Sequence, residues 1–485
     1  MATPPPASST PDAVSHPSAP SAPPASRPTR ATRITVGFVL LLSALTAIGP
    51  LTIDLYLSAF PQIVRELGTT ESRIQLTLTA TLAGLALGQL LIGSISDAIG
   101  RRLPLLTALS LYVLASAGIV FVQSVEMLTA LRFVQGLTAA AGMVLSMAIV
   151  RDNFEGFQVG KVIARLMLVV GVAPILAPTI GAQFLRMGSW RLMFVALAVF
   201  GVLLLVLAAL RLKESLPPEL RRTGGTSAAL RSYGSLVRDW SFFGLALLGG
   251  FYMAAMFTYI SASTFVFQEQ FGLSAQQYAI IFGAGAVSVT IGSQVNGALV
   301  GRVTPEQILR VIVPVGMILS AGLLAATLSG AGLPVLVALI VLTLGTAGFV
   351  MPSVPAVALE RNAHRAGSAA ALLGAMQFGV GAGIAPLTGL IGGDVTITMA
   401  AVMFGVISVA GLLLLSLSRS LRAVPAAGDD VAGSDTGDAV EDAQADELVV
   451  VSDVSELGVV AAAEAVVEAA EAAAEAPVVP ATRRT

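Results

Sequence analysis

An ionisable side chain inside a long apolar run is costly to bury in lipid, so the few that occur mark candidate chemistry. Asp54 lies in LTIDLYLSAFP and Arg132 in LTALRFVQGLTAAAG. A carboxyl group so placed is suited to taking up and releasing a proton. One site whose proton and substrate occupancies oppose each other couples two flows. Arg132 is the expected counter-charge, because both residues fall toward the outer ends of their segments at comparable depth. An arginine at mid-span costs roughly 2.5–3.5 kcal/mol on the insertion scale, which favours a facing pair. Tyr56, Gln135 and Gln377 offer neutral polar contacts to a substrate. Pro50 deprives the Thr46 carbonyl of its helical donor and predicts bending before Asp54.

A second set gathers where apolar segments end. GSISDAIGRR holds Gly93, Asp97, Gly100, Arg101 and Arg102, and the fourth segment ends on Arg151 and Asp152. A carboxylate at a helix C-terminus opposes the dipole. Asp97 is therefore expected to take a donor from Arg101, Arg102 or the positive end of another helix. At the mouth of a pathway such a contact latches one conformation.

Other chemistries are excluded by what is missing. There is no cysteine, so disulfides, thiolate metal sites and cysteine nucleophiles are ruled out, and the two histidines, His16 and His364, read as loop residues. No metal or cofactor is expected. An intramembrane enzyme would need a metal site, a Ser/Lys dyad or paired aspartates. Nucleic-acid binding has no support beyond basic connectors that topology explains.

The elements that carry these groups follow from composition. Of 485 residues, 55% belong to the AVILMFWYC set and 12% are charged, with mean hydropathy +0.85; soluble surfaces need about 25–35% charged residues. Apolar segments run at 34–58, 74–96, 103–123, 128–150, 162–184, 191–210, 240–264, 275–298, 309–329, 333–354, 367–391 and 396–418. Each is long enough as a helix to cross about 30 Å of hydrocarbon, and none alternates as a barrel strand would. The fold expected is an all-α polytopic membrane protein with 12 transmembrane helices in two pseudo-symmetric six-helix bundles. The bundles cover 34–210 and 240–418, joined by a basic connector, 211–239. Residues 1–33, rich in Pro and Ser, and the acidic, Ala-rich 419–485 are expected to be disordered. In 461–476, Glu464, Glu468, Glu471 and Glu475 would share a helix face and repel one another.

Charge sets the orientation. With the N-terminus inside, inner segments collect 20 Lys and Arg and outer segments 4, which places both termini in the cytoplasm. The halves also echo each other. GVAPILAPTIG (171–181) answers GVGAGIAPLTG (379–389), GSISD answers GSQVN (292–296), and AIVRDN answers VALERN before Asn153 and Asn362. Six spans per copy make the repeat parallel, about an axis along the membrane normal. Gly84, Gly88, Gly379 and Gly383 would let helices approach closely.

These motifs resemble the major facilitator superfamily, specifically its twelve-span drug:proton antiporters of the bicyclomycin/chloramphenicol-resistance type. The resemblance covers about 34–418. GSISDAIGRR is similar to the family's cytoplasmic loop motif, with Asp97, Arg101 and Arg102 as its latch and Ala98 where arginine is usual. LRFVQGLTAAAG is similar to the span 4 motif, with Arg132, Gln135 and Gly136. GVAPILAPTIG resembles the antiporter motif of span 5, mapping onto Gly171, Pro174, Pro178 and Gly181; MGSWRLMF, with Trp190 and Arg191, also fits. DLYLSAFP is similar to the subgroup's span 1 signature and places its acidic residue at Asp54. The resemblance implies proton-coupled export of small amphipathic compounds by alternating access, in the bacterial cytoplasmic membrane. The partners expected are a small-molecule substrate, protons and the lipid bilayer, with the chain working as a monomer. A carrier for a defined metabolite, such as an amino acid or sugar, is the alternative; a non-transporting scaffold or receptor is the reading from another class.

Overall fold

The computed structural model describes residues 36–221 and 225–421. The two tails expected to be disordered fall outside the described residues, apart from the helical turn that reaches Leu421. His16 and the His364 side chain are likewise outside them. Among the described residues, twelve helices are long and apolar enough to cross a membrane, and there is no strand.

Span 1 is composite. α1 (Val36–Asp54), a 3-10 turn at Leu57–Ala59 and α2 (Phe60–Glu66) follow one another. Pro50 is carried inside α1, and the ladder stops only after Leu55 N–H donates to the Leu51 carbonyl. Spans 2–6 are α3 (Glu71–Ile99), α4 (Arg102–Val120), α5 (Val125–Asn153), α6 (Phe157–Arg186) and α7 (Arg191–Arg211). The connector, for which composition predicts no element, carries an additional helix, α8 (Gly225–Arg238). Span 7 is α9 (Trp240–Thr264) with a π-helical turn at Phe265–Gln270. Spans 8–10 are α10 (Ala275–Leu299), α11 (Pro305–Leu328) and α12 (Leu333–Glu360). Span 11 is divided into α13 (Ala366–Ile384) and α14 (Leu387–Ile391), and span 12 is α15 (Val395–Leu421).

Local chemistry sets these boundaries. Thr70 and Ser124 cap α3 and α5 by accepting from Arg73 N–H and Met127 N–H. Reciprocal capping boxes open α10 (Ser274, Gln277) and α11 (Thr304, Gln307, with Pro305 in the first turn). Gly100 closes α3 at φ +106°, a backbone geometry that a side chain disfavours.

Within each half, glycines let two spans cross at backbone contact. A Cβ on Gly84 or Gly136 would collide with the carbonyl of Phe133 or Thr81, locking α3 to α5. The device recurs where Gly292 and Gly348 meet the Gly345 and Val289 carbonyls, locking α10 to α12. Of the glycines expected to promote close approach, Gly84 and Gly88 do so. Gly379 makes only an ordinary contact with Ala86, and nothing lies within 4 Å of a Cβ on Gly383. On span 11 the close crossings fall instead at Gly381, against Phe257, and Gly389, against Ser72 and Gln75.

The core is distributed unevenly between the two membrane faces. The connector face carries α8; the far face carries the α1–α2 break and the π-turn of span 7. One buried apolar cluster runs from the N-terminal half across the far-face seam into Phe257, Phe265, Phe267, Tyr278 and Phe282. A second cluster, with Leu236, Phe242, Leu309 and Leu417, stays on the connector side of the C-terminal half. A cavity occupies the space between.

Candidate functional site

Arg132 and Asp54 are both buried, 0% and 3% exposed, but they do not pair. Arg132 Nη1 donates to Gln135 Oε1 at 2.6 Å and Nη2 to the Thr52 carbonyl at 2.9 Å, with the guanidinium 4.0 Å from the centroid of the Tyr56 ring. Where α1 breaks, no N–H follows to claim the Thr52 carbonyl, and the arginine takes it. Gln135 Nε2 donates to Ser116 Oγ at 2.8 Å, and the Thr52 hydroxyl meets the Tyr112 hydroxyl at 2.7 Å. The Tyr56 hydroxyl lies 3.1 Å from Thr77 Oγ1. Arg132 is thus neutralised by dipoles and a ring face, and among the described residues no carboxylate is within ion-pair distance of it.

The facing pair expected from depth alone fails on azimuth. Two residues of α-helix turn about 200°, so when Thr52 faces α4 and α5, Asp54 faces away. It stands three residues before Leu57, whose carbonyl Thr264 of the other half reaches, and its Oδ1 is buried without a hydrogen-bond partner. Tyr56 and Gln135 spend their polar atoms inside the N-terminal half. Gln377 belongs to another neighbourhood, its Nε2 packed near Gly249 of α9.

Next to Asp54 the two halves are sealed at the far face. Thr264 Oγ1 donates to the Leu57 carbonyl at 3.0 Å and Gln268 Nε2 to the Ser58 carbonyl at 3.2 Å. Arg65 pairs with Glu269 at 3.3 Å, and the Phe60 and Phe265 rings lie 5.9 Å apart. Thr388 Oγ1 donates to Gln75 Oε1 at 3.1 Å. Here span 5 contributes Gly181, where a Cβ would collide with the Leu55 carbonyl, and Gly171, which lies opposite Thr290 of α10. Pro174 and Pro178 are accommodated inside a continuous α6. Trp190 Nε1 and Arg191 both reach Glu66, and Arg191 also donates to the Val120 and Val122 carbonyls at 3.0 Å, tying α2 to spans 3 and 6.

At the connector face the predicted latch residues come together around a cavity of about 790 Å³. Arg101 donates to Asp97 at 2.5 Å and to Asp152 at 2.9 Å, with Ser96 Oγ at 2.7 Å. Gly93, Asp97, Arg101, Arg151 and Asp152 all line the cavity. Asp97 therefore finds the donor expected of it, within its own half. Arg102 has a different task, donating to the Leu212 and Ala209 carbonyls at the end of α7. Among the described residues, Arg151 bonds only locally, to the Met147 carbonyl at 3.4 Å.

Two further participants are not marked by the local sequence. Glu214 accepts from the backbone N–H groups of Arg101, Leu216 and Arg102 at 2.7, 3.1 and 3.2 Å. Desolvation opposes its charge, but these donors and nearby Arg221 prevail and hold its pKa below the ordinary 4.5. The stretch KESLPPEL carries no local signal of this, because two of the three donors, Arg101 and Arg102, lie over a hundred residues away. Tyr233 of α8 donates to the Leu90 carbonyl at 3.1 Å, while Ser235 accepts from Arg365 at 2.6 Å, so α8 touches both halves. Leu230, Tyr233, Leu236 and Val237, at helical spacing, were the available hint.

The architecture matches known proteins throughout. Residues 42–386 match the Major Facilitator Superfamily. The chain belongs to that family. An uncharacterised MFS-type transporter of Bacillus subtilis, YdgK, is 40% identical over 381 residues, covering 78% of this chain and 94% of that protein. A bicyclomycin resistance protein homologue of Haemophilus influenzae is 29% identical over 345 residues, covering 71% and 87%. Among solved structures, a bacterial homologue of the human lysosomal transporter Spinster, titled inward-facing and unoccupied, superposes with TM-score 0.61 at 17% identity, covering 79% of this chain and 96% of that one. The Escherichia coli xylose transporter XylE gives 0.60 at 14% identity, covering 80% and 97%. This MFS chain is accordingly a multi-pass membrane transporter.

Proposed function

We propose that this transporter exports small amphipathic compounds in exchange for protons by alternating access, with Asp54 as the proton-carrying group. The observation that carries this reading is the position of Asp54: at a break in span 1, three residues before the carbonyl of Leu57 that the other half reaches, with one carboxyl oxygen buried and unpartnered. At such a place the gain or loss of one proton alters the cost of burial by several kcal/mol, and the far-face contacts beside it are those that must part when that face opens. The names of relatives support the direction of transport, since one is a bicyclomycin resistance homologue and others are called multidrug resistance proteins.

In this reading the connector face is cytoplasmic, as its excess of Lys and Arg requires, and the membrane is the bacterial cytoplasmic membrane. The chain works alone, because both halves of the pathway come from one polypeptide. The Asp97–Arg101–Asp152 group acts as the cytoplasmic gate: on closure Asp97 meets the start of span 11, whose Ala366, Gly367 and Ser368 line the opposite wall of the cavity. The test is Asp54→Asn in reconstituted vesicles with an imposed pH gradient and a panel of antibiotics and amino acids. Loss of gradient-driven flux with folding retained supports the assignment; flux that still follows the gradient removes it.

A further inference from the structure

The cavity and the candidate proton site are separated along the membrane normal. Thr46, Gln89 and Met143 line the cavity, and each stands ten residues from the connector-face end of its helix, α1, α3 or α5. That is a common depth of about 15 Å. Asp54 stands eight residues beyond Thr46 on α1, about 12 Å further along the axis, and is not part of the lining.

The lining changes character with depth. Its charged members, Asp97, Arg101, Arg151, Asp152 and Arg365, all sit at helix ends on the connector face. Asp97 and Asp152 are already paired with Arg101. Deeper in, the wall holds Met143, Val144, Met147, Met167 and Val170 with no ionisable group. A charged solute there would lose hydration and gain no counter-ion, which disfavours its binding. Thioether side chains are polarisable and adapt to varied shapes. Gln89 has two donors and an acceptor, and none is used by the described protein, although its side chain lies against Gly374 of α13 at the seam between the halves. The Thr46 hydroxyl donates to the Leu42 carbonyl at 2.8 Å, which leaves its oxygen free to accept.

We propose that Gln89 and Thr46, walled by Met143, Met147 and Met167, form a substrate subsite for uncharged amphipathic solutes that carry hydrogen-bonding groups. The proposal rests on the transport reading and deepens it: substrate and proton occupy different places, and they are coupled through the shared change of conformation rather than by competing for one carboxylate.

The chain has no cysteine, so Val144→Cys provides a single reporter in the deep wall and Ser329→Cys a control outside the cavity. Alkylation by N-ethylmaleimide is followed on purified protein with chloramphenicol (uncharged), tetraphenylphosphonium (cationic) or salicylate (anionic). Saturating chloramphenicol is expected to slow alkylation at Val144→Cys at least about fivefold by mass action and to leave Ser329→Cys unchanged. Adding Gln89→Leu should raise the chloramphenicol concentration needed about threefold to tenfold, the worth of one hydrogen bond, with partial recovery in Gln89→Asn. Better protection by either ion, protection by none of the three, or an unchanged concentration in Gln89→Leu overturns the subsite. If chloramphenicol protects but a pH gradient drives no flux in vesicles, the subsite stands and proton coupling fails. If flux follows the gradient without protection, coupling stands and the subsite falls.

Discussion

At the far face, Thr264 and Gln268 of one half reach the Leu57 and Ser58 carbonyls of the other; at the connector face, Asp97, Arg101 and Asp152 satisfy one another inside the N-terminal half. The first arrangement joins the halves by neutral bonds worth about 0.5–1.5 kcal/mol each, backed by the Phe60–Phe265 contact and an exposed ion pair, Arg65–Glu269. The second spends its charge internally and leaves a cavity, bridged at its rim by α8. A carrier that alternates needs seams that break cheaply. Neutral bonds to carbonyls at a helix break meet that need, whereas a buried ion pair across the seam would not.

The largest test of this contrast uses two glycines that the repeat makes equivalent. Gly181 packs on Leu55 within its own half, and Gly389 packs on Ser72 and Gln75 of the other half. Gly181→Val should destabilise the N-terminal half by about 2 kcal/mol or more, read as a lowered Tm in detergent. Gly389→Val should leave that half intact and pry the far face apart, read as lower yield of a cross-link between cysteines placed at Leu57 and Thr264. Identical behaviour of the two variants would erase the distinction between packing inside a half and packing across the seam. Next in size, Thr264→Val with Gln268→Leu should shift the balance toward an open far face by about 1–3 kcal/mol, visible in the maleimide accessibility of a cysteine placed at Ser58.

Glu214 tests the connector side. Its folded-state pKa lies below 4.5, so its contribution is complete above that value and is lost as pH falls through the folded pKa. Tm should therefore decline on acidification below about pH 4.5, and Glu214→Gln should have a lower Tm at pH 7 with a flatter acid limb, the difference being about 1 kcal/mol as for a lost cap. A parallel decline in both proteins would remove Glu214 from the anchor. Smallest is Arg65→Gln: its partner Glu269 is exposed, so breaking the pair should cost less than about 1 kcal/mol, with any effect gone at high salt.

Much of the fold was legible in the sequence because lipid imposes a strong rule: every segment that crosses must satisfy its backbone internally. Span 1 shows where that legibility stopped. Pro50 suggested bending at Thr46, yet α1 absorbs the proline and breaks at Leu55–Tyr56, since a side chain from another helix, Arg132, was available to take the Thr52 carbonyl. Ala-Pro at 177–178 and at 385–386 reads alike, yet only the second interrupts its helix. The charge cluster around Asp97 is legible because Arg101 follows within about one helical turn. Gln89 and Thr46 were not, because nothing local marks an unremarkable polar residue as lining a cavity.

Depth in the membrane, the number of spans and the pairing of the halves were determined by the order of residues alone, because hydropathy and charge act along one axis and can be summed from local composition. Azimuth was decided only by tertiary packing. Which way Asp54 turns, what neutralises Arg132 and where the cavity ends depend on about 100° of rotation per residue and on neighbours from distant parts of the chain, and no sum over local sequence contains either.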